Sequence, residues 1–221
     1  DVYPLGYTDV ALYFSFIAGL ENEKEVLQFL LDSSSISWLS KLGGDFEYGI
    51  AVYVKHIDEF IELMDMIHST FGNVFFKKSV HIRSEFHYYS HAYLNKESKR
   101  KSITFGSCKT QVKIDELDHD ILSTICNTEL NSHLQYAKAL KVSLSTLNYR
   151  LKRLESNGII VGHTYSINPA SLHMQRYELL LYTRGVGKEL RTRFFNFSKN
   201  HPHIIYSLYG VGEWDFECGV Q

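Results

Sequence analysis

Cysteine is scarce in this chain, and so are long apolar runs and any excess of charge of one sign. Cys108, Cys126 and Cys218 are odd in number, scattered, and without a close C-x-x-C pair. That pattern supports neither a disulfide framework nor a structural zinc knuckle, and it points to a reducing, cytoplasmic compartment. The longest apolar run, Val10 to Leu20, covers 11 residues and contains Ser15. It falls well short of the roughly 20 residues that cross a bilayer, so no membrane partner is expected. Lys and Arg number 23 against 25 Asp and Glu, a net charge of −2. No global positive field draws the chain to nucleic acid, and any such binding must come from a local cluster. What is present is a core-forming composition: 221 residues, 44% hydrophobic and 14% aromatic. This is enough for one large or two small domains and too apolar for a disordered or fibrous chain. The chain starts at Asp1 and stops at Gln221 inside a strand-like run, and it is read as a piece of a longer protein.

An internal repeat organises the sequence. Gly44-Asp45-Phe46-Glu47-Tyr48 and Gly212-Glu213-Trp214-Asp215-Phe216 share the order Gly-acid-aromatic-acid-aromatic, 168 positions apart. Upstream of each lie a leucine (Leu5, Leu172), a β-rich run (9–17, 176–183), a helix-like segment (21–31, 188–200) and a second strand (35–42, 203–210). The first copy continues into Ile57 to Phe71, where Ile57, Phe60, Ile61, Met64 and Ile67 fall at helical spacing, and into the strand-like run 74–93. Its full order is βαββαβ, a ferredoxin-like plan, which the second copy begins and does not finish. Such a unit leaves one sheet face uncovered, and Phe14, Phe16, Tyr48, Phe75 and Phe76 supply more apolar surface than one helix layer covers. Pairing of two modules is therefore expected, as a homo-oligomer or as a pseudo-dimer within one chain.

Between the copies, 95–113 carries Lys96, Lys99, Arg100, Lys101 and Lys109 and reads as a basic, solvated linker. From 114 to 168 the periodicity becomes helical. Ile114, Leu117, Ile121, Leu122 and Ile125 mark one amphipathic helix, a second opens at Ser132, and a third runs from Ser143 to Glu155 with Leu144, Leu147, Leu151 and Leu154 as its stripe. Gly158 ends it, and 159–167 alternates like a small hairpin. Three short helices and a hairpin are the layout of a winged helix-turn-helix. On the third helix Ser145, Tyr149, Lys152 and Arg153 face away from the leucine stripe, with Thr146 and Arg150 at the margin, and the set has hydroxyls near the N-terminus and basic groups farther along. That gradient suits a helix in the major groove of double-stranded DNA.

The stretch 114–169 also resembles the Lrp/AsnC (feast/famine) transcription regulators. Ile114-Asp115-Glu116-Leu117-Asp118-His119-Asp120-Ile121-Leu122 fits the opening pattern of that family; Arg150-Leu151-Lys152-Arg153-Leu154-Glu155, Gly158-Ile159-Ile160 and Ile167-Asn168-Pro169 follow in its order. Two residues depart from it, Lys141 where a turn glycine is usual and His173 where glycine follows leucine. The resemblance implies that each βαββαβ module is of the RAM type, which pairs subunits and binds amino acids or related effectors near the Gly-Asp turn. Its expected effector residues here are Gly44, Asp45, Phe46, Glu47, Gly212, Glu213, Trp214 and Asp215. The resulting expectation is an α+β chain, a RAM-like module (1–94), linker (95–113), winged helix-turn-helix (114–168) and second, truncated RAM-like module (169–221), within a longer tandem regulator that carries another reader ahead of Asp1.

Four blander or rival readings stand beside it. His81, His87 and His91 share a strand face, but ligands four residues apart in a strand lie about 13 Å apart, so no metal or cofactor is assigned. The turn acids form a carboxylate set, yet such acids more often bond turn amides than do acid-base chemistry, and no catalytic residue is assigned. The siroheme decarboxylases resemble the two-module architecture; that alternative makes the chain a tetrapyrrole enzyme using His87 or His91. A further alternative is a small-molecule sensor whose helix-turn-helix no longer binds DNA.

Overall fold

A computed structural model describes residues 1–94, 101–106, 110–164 and 167–221. Lys96, Lys99, Arg100 and Lys109 of the expected linker, and Cys108, lie outside them. In chain order the elements are β1 (Thr8–Phe16), α1 (Glu23–Asp32), β2 (Ile36–Lys41), β3 (Tyr48–Val54), α2 (Ile57–Phe71), β4 (Phe75–Tyr89), β5 (Ser102–Gly106), α3 (Glu116–Asn127), α4 (His133–Ala139), α5 (Leu144–Ser156), β6 (Tyr177–Leu181), α6 (Lys188–Asn200), β7 (Ile204–Val211) and β8 (Phe216–Val220). They form two compact units, residues 1–6 with 108–163, and residues 7–107 with 164–221.

In the larger unit both modules contribute to one antiparallel sheet of order β2-β3-β1-β4-β7-β8-β6. Strand β4 is the hinge of this arrangement. Its first half pairs with β1, Phe14 opposite Lys78 and Asp9 opposite Arg83, and its second half pairs with β7, Phe86 opposite Leu208. Where β1 ends, β5 takes over its side of β4, with Phe105 opposite Phe86 and the two rings stacked at 4.9 Å. Part of the segment expected to be only linker is thus a strand. Ser102-Ile103-Thr104-Phe105 alternates polar and apolar residues, and the basic residues around it hide that signal.

Strand β1 is apolar without a break from Val10 to Phe14 because both of its faces are covered there. Val10, Leu12, Phe14 and Phe16 pack with β3 under Val26 and Leu30 of α1 and Phe60, Leu63 and Ile67 of α2. Ala11 and Tyr13, on the opposite face, meet Phe46 and Trp214. The aromatic residues expected to pair the modules therefore divide differently. Phe14, Phe16, Tyr48 and Phe75 belong to the helix-covered core, Phe76 is 78% exposed, and Trp214 does the joining.

β1 and β8 are three strand spacings apart, about 14 Å in a flat sheet. The Tyr13 hydroxyl nevertheless donates to Glu217 Oε2 at 2.8 Å, and the Tyr13 and Trp214 rings lie edge-on at 5.1 Å. The sheet curls until its two halves face each other. Glu217, with no exposed surface, accepts four hydrogen bonds there, from Tyr13, from Arg83 Nη2 (3.0 Å), from Trp214 Nε1 (3.0 Å) and from His81 Nδ1 (2.5 Å). Gly210 and Gly212 permit this closeness: a Cβ on either would come within 2.7 Å of the His81 ring.

In the smaller unit Ile121, Ala137, Leu147, Leu154 and Ile159 are the buried centre of α3, α4 and α5. The chain start closes it: Leu5 packs on this core, Val112 N–H donates to Pro4 O at 2.6 Å, and the Asp1 ammonium donates to Ile159 O at 2.6 Å. Residues 159–164 carry no strand, and the expected hairpin continues into 165–166, outside the described residues. The Ile159 and Ile160 amides both donate to Leu154 O and finish α5, and Ile159 is in the core. Lys141 and His173, the two departures from the glycine pattern, take φ of 55° and 53°. The left-handed turns are kept without glycine, at a cost of about 1 kcal/mol each.

Burial alone raises the Glu217 carboxyl; the Arg83 guanidinium and the His81 and Trp214 hydrogen bonds outweigh it and hold the group at about 2. A carboxyl depressed on folding gives stability that is full above its unfolded value and drains as the pH falls toward the folded one. Urea unfolding should therefore show a Glu217-dependent loss between pH 4.5 and 2, and Glu217→Gln should flatten that part of the profile.

Candidate functional site

The helix-turn-helix is built from its caps outward. Ser143 caps α5 by accepting from the Thr146 amide at 3.0 Å, and its hydroxyl also meets the Ser145 and Thr146 hydroxyls at 2.8 and 2.7 Å. Ser132 caps α4 through the Gln135 amide. Asn148 of α5 bonds His133 of α4 at 2.8 Å and fixes the angle between them. Asp115 and Asp118 form a reciprocal capping box at the start of α3.

The six residues expected at the DNA separate into two groups, with Thr146 apart from both. Ser145, Tyr149 and Lys152, at i, i+4 and i+7, form an exposed face, with Tyr149 65% exposed. Arg150 and Arg153 are turned to α3 instead. Arg150 Nη1 reaches Asp115 and, at 3.2 Å, Asp118, while Arg153 Nη2 donates to Asp118. Asp118 is fully buried, and two cations on one carboxylate satisfy what the capping box leaves open. Thr146 is half-buried beside the cap. Helical angles alone place both arginines off the leucine stripe; they do not show that a capping box waits beside them.

The two Gly-acid turns come together through their aromatic residues, Phe46 and Trp214, whose rings lie 6.0 Å apart. Their acids do not act as a pair. Glu47 accepts the Phe16 amide at 3.0 Å, and Asp215 accepts the Thr183 amide at 2.9 Å and its hydroxyl at 2.7 Å. Each acid pins the end of its module's first strand, the same job in both copies of the repeat. Asp45 and Glu213 are exposed. Gly44 has φ of 113°, whereas Gly212 has no such angle and is glycine because of its contact with β4.

Between the curled halves of the sheet lies a cavity of about 1040 Å³. Gly44, Asp45 and Phe46 line it; Gly212, Glu213, Trp214 and Asp215 do not. Its remaining walls include Trp38, Tyr53, Tyr88 and Tyr206 with the charged side chains of Asp9, Arg83, Arg176 and Glu178. No histidine lines it. His87 bonds Glu85 at 2.9 Å and Thr104 at 3.1 Å. Among the described residues no group of three or more His, Cys, Asp or Glu is placed to hold a metal, and no helix is long and apolar enough to cross a membrane.

The segment 114–161, spanning α3 to α5, matches the family model described as winged helix-turn-helix DNA-binding. An HTH-type transcriptional regulator of Pyrococcus furiosus is 35% identical over 108 residues, 47% of this chain and 69% of that protein. The HTH-type transcriptional regulator Ptr1 of Methanocaldococcus jannaschii is 30% identical over 106 residues, 48% of this chain and 70% of its own length. The chain belongs to the HTH-type transcriptional regulators. Among solved structures, the siroheme decarboxylase NirDL in complex with an iron-uroporphyrin III analogue aligns over the whole of this chain and 64% of its own, with a TM-score of 0.62 and 14% identity. That likeness is one of fold.

For this regulator Asp118 is the residue that sets the pose of α5, and Asp118→Asn should cost about 1.5–3 kcal/mol, the range for a hydrogen bond to a charged group. Urea unfolding of the variant checks it.

Proposed function

We propose that this regulator binds double-stranded DNA sequence-specifically by laying α5 in the major groove. The observation that carries the reading is the exposed face of Ser145, Tyr149 and Lys152 on a capped, braced helix. Ser145 and Thr146 are short enough for close approach at the N-terminus, Lys152 reaches phosphate, and Tyr149 packs on base or sugar edges. Arg150 and Arg153 orient the helix through Asp118 and contribute field at the groove through the guanidinium edges that Asp115 and Asp118 leave open. An amino acid or related small effector acts at the RAM-like modules near Gly44 and Asp45, whose turn borders the cavity. The two modules share one sheet and act as an intrachain pseudo-dimer. Effector control then requires that ligand favour one arrangement of the modules over another.

Selection of bound sequences from random duplex DNA, with and without amino acids, should return one preferred motif. Replacing Ser145, Tyr149 and Lys152 together by Ala should abolish enrichment while the fold remains. Lys152→Ala alone should weaken binding uniformly and flatten the salt slope by about one unit. Undiminished enrichment by the triple variant would remove α5 as the reader.

A second reading, tetrapyrrole chemistry of the kind named for NirDL, draws on the shared fold and on a cavity of sufficient size. The donor set argues against a histidine-held iron, because no histidine lines the cavity. Siroheme added to the protein should leave its Soret band unshifted.

A further inference from the structure

We propose that the cavity between the two half-sheets binds a small organic amine, with the carboxylates of Asp9 and Glu178 as the partners of its ammonium or guanidinium group. The proposal deepens the effector reading by fixing the site and the charge of the ligand; it does not depend on the DNA reading, because binding is measured without DNA.

Asp9 is only 5% exposed, and its Oδ1 has no hydrogen-bond partner; its Oδ2 is 3.8 Å from Arg83 Nη1, an ion pair too long to be a hydrogen bond. Glu178 gives Oε2 to the Tyr206 hydroxyl, and its Oε1 is likewise buried without a partner. An unmet carboxylate oxygen out of water is costly, and native interiors rarely leave one. Here two line the same cavity.

Charge bookkeeping of the inner face points the same way. Glu217 takes the close contact of Arg83 and the hydrogen bond of His81. Asp9 is left with a distant share of Arg83, and Glu178 with the more remote pull of Arg83 and the exposed Arg176, so neither carboxylate has a cation in hydrogen-bond contact. The cavity walls also suit a cation. Arg83 already sits 5.9 Å from the Tyr13 ring centre and 5.7 Å from that of Trp38, and the rings of Tyr53 and Tyr88 line the remaining space. Arg176, Lys41 and Asp45 are exposed lining residues. The two basic ones can meet the carboxylate of an amino acid, so the amine could be free or carried by one, and the test separates the two sources.

Burial, reinforced by Glu217, pushes the Glu178 carboxyl up to about 7, against the opposing pull of the Tyr206 hydroxyl, Arg83 and Arg176. An incoming ammonium favours the ionised form. Binding near pH 7 must therefore release a proton, a readout that needs no variant.

The experiment is calorimetric titration of the protein with 1,5-diaminopentane, phenethylamine, lysine and glutarate, each in two buffers of different ionisation enthalpy. Saturable binding of at least one amine with proton release at pH 7, no binding of glutarate, and a loss of about tenfold or more in both Asp9→Asn and Glu178→Gln are expected. Binding by lysine without the free amines keeps the site and names an amino acid as the source. Thermal melts establish that each variant is folded. The proposal fails if no amine binds at millimolar concentration, if glutarate binds as well as the amines, or if folded Asp9→Asn and Glu178→Gln keep wild-type affinity.

Discussion

The fold of the larger unit depends on one buried carboxylate. Glu217 stands in the second module, and its donors come from β1 and β4 of the first as well as from Trp214 beside it. A carboxylate without solvent is tolerable only when its lone pairs are filled, and removal of one partner of such a set costs far more than the set contributes as a whole. The requirement brings β8 over β1, curls the sheet, and creates the space between its halves. The cavity, the contact between the two Gly-acid turns and the exclusion of water from Arg83 are consequences of that closure. Gly210 and Gly212 are the backbone side of the same constraint, since any Cβ there would press on His81.

The helix-turn-helix repeats the logic on a smaller scale. Asp118 is buried, caps α3, and receives Arg150 and Arg153 from α5. A basic helix acquires a fixed pose because part of its charge is spent internally, and the residues left facing outward are fewer than its composition suggests. In a chain of net charge −2, DNA binding of the proposed kind would draw on the remaining outward face and on the field of partly shielded arginines, the pattern of a reader that relies on shape and selected contacts over bulk attraction.

Much of this was legible in residues. The repeat anticipated a strand, a helix and two strands around each Gly-acid turn, the order of β1-α1-β2-β3 and of β6-α6-β7-β8, and Asp115 with Asp118 marked the start of α3. Lys141 and His173 could be recognised as strained turn positions because the expected glycine was missing, and both have positive φ. What escaped depends on contacts far apart in sequence. Glu217 alternates with Phe216 and Cys218 in a strand, a pattern that ordinarily means a wet face; only the other half-sheet makes it dry. Asp215 and Glu47 looked like ligand groups, yet each is used by the nearest strand end. The strand β5 was hidden by the lysines around it.

The most direct test of the account is a double-mutant cycle on Tyr13→Phe and Glu217→Gln, read by urea unfolding at pH 7. Tyr13 and Glu217 belong to different modules, 204 positions apart, and meet only if the sheet curls as described. A coupling energy of about 1 kcal/mol or more is predicted, within the range for residues in one hydrogen-bond network. Additive effects within about 0.3 kcal/mol would contradict the closure on which the cavity and the joined modules rest.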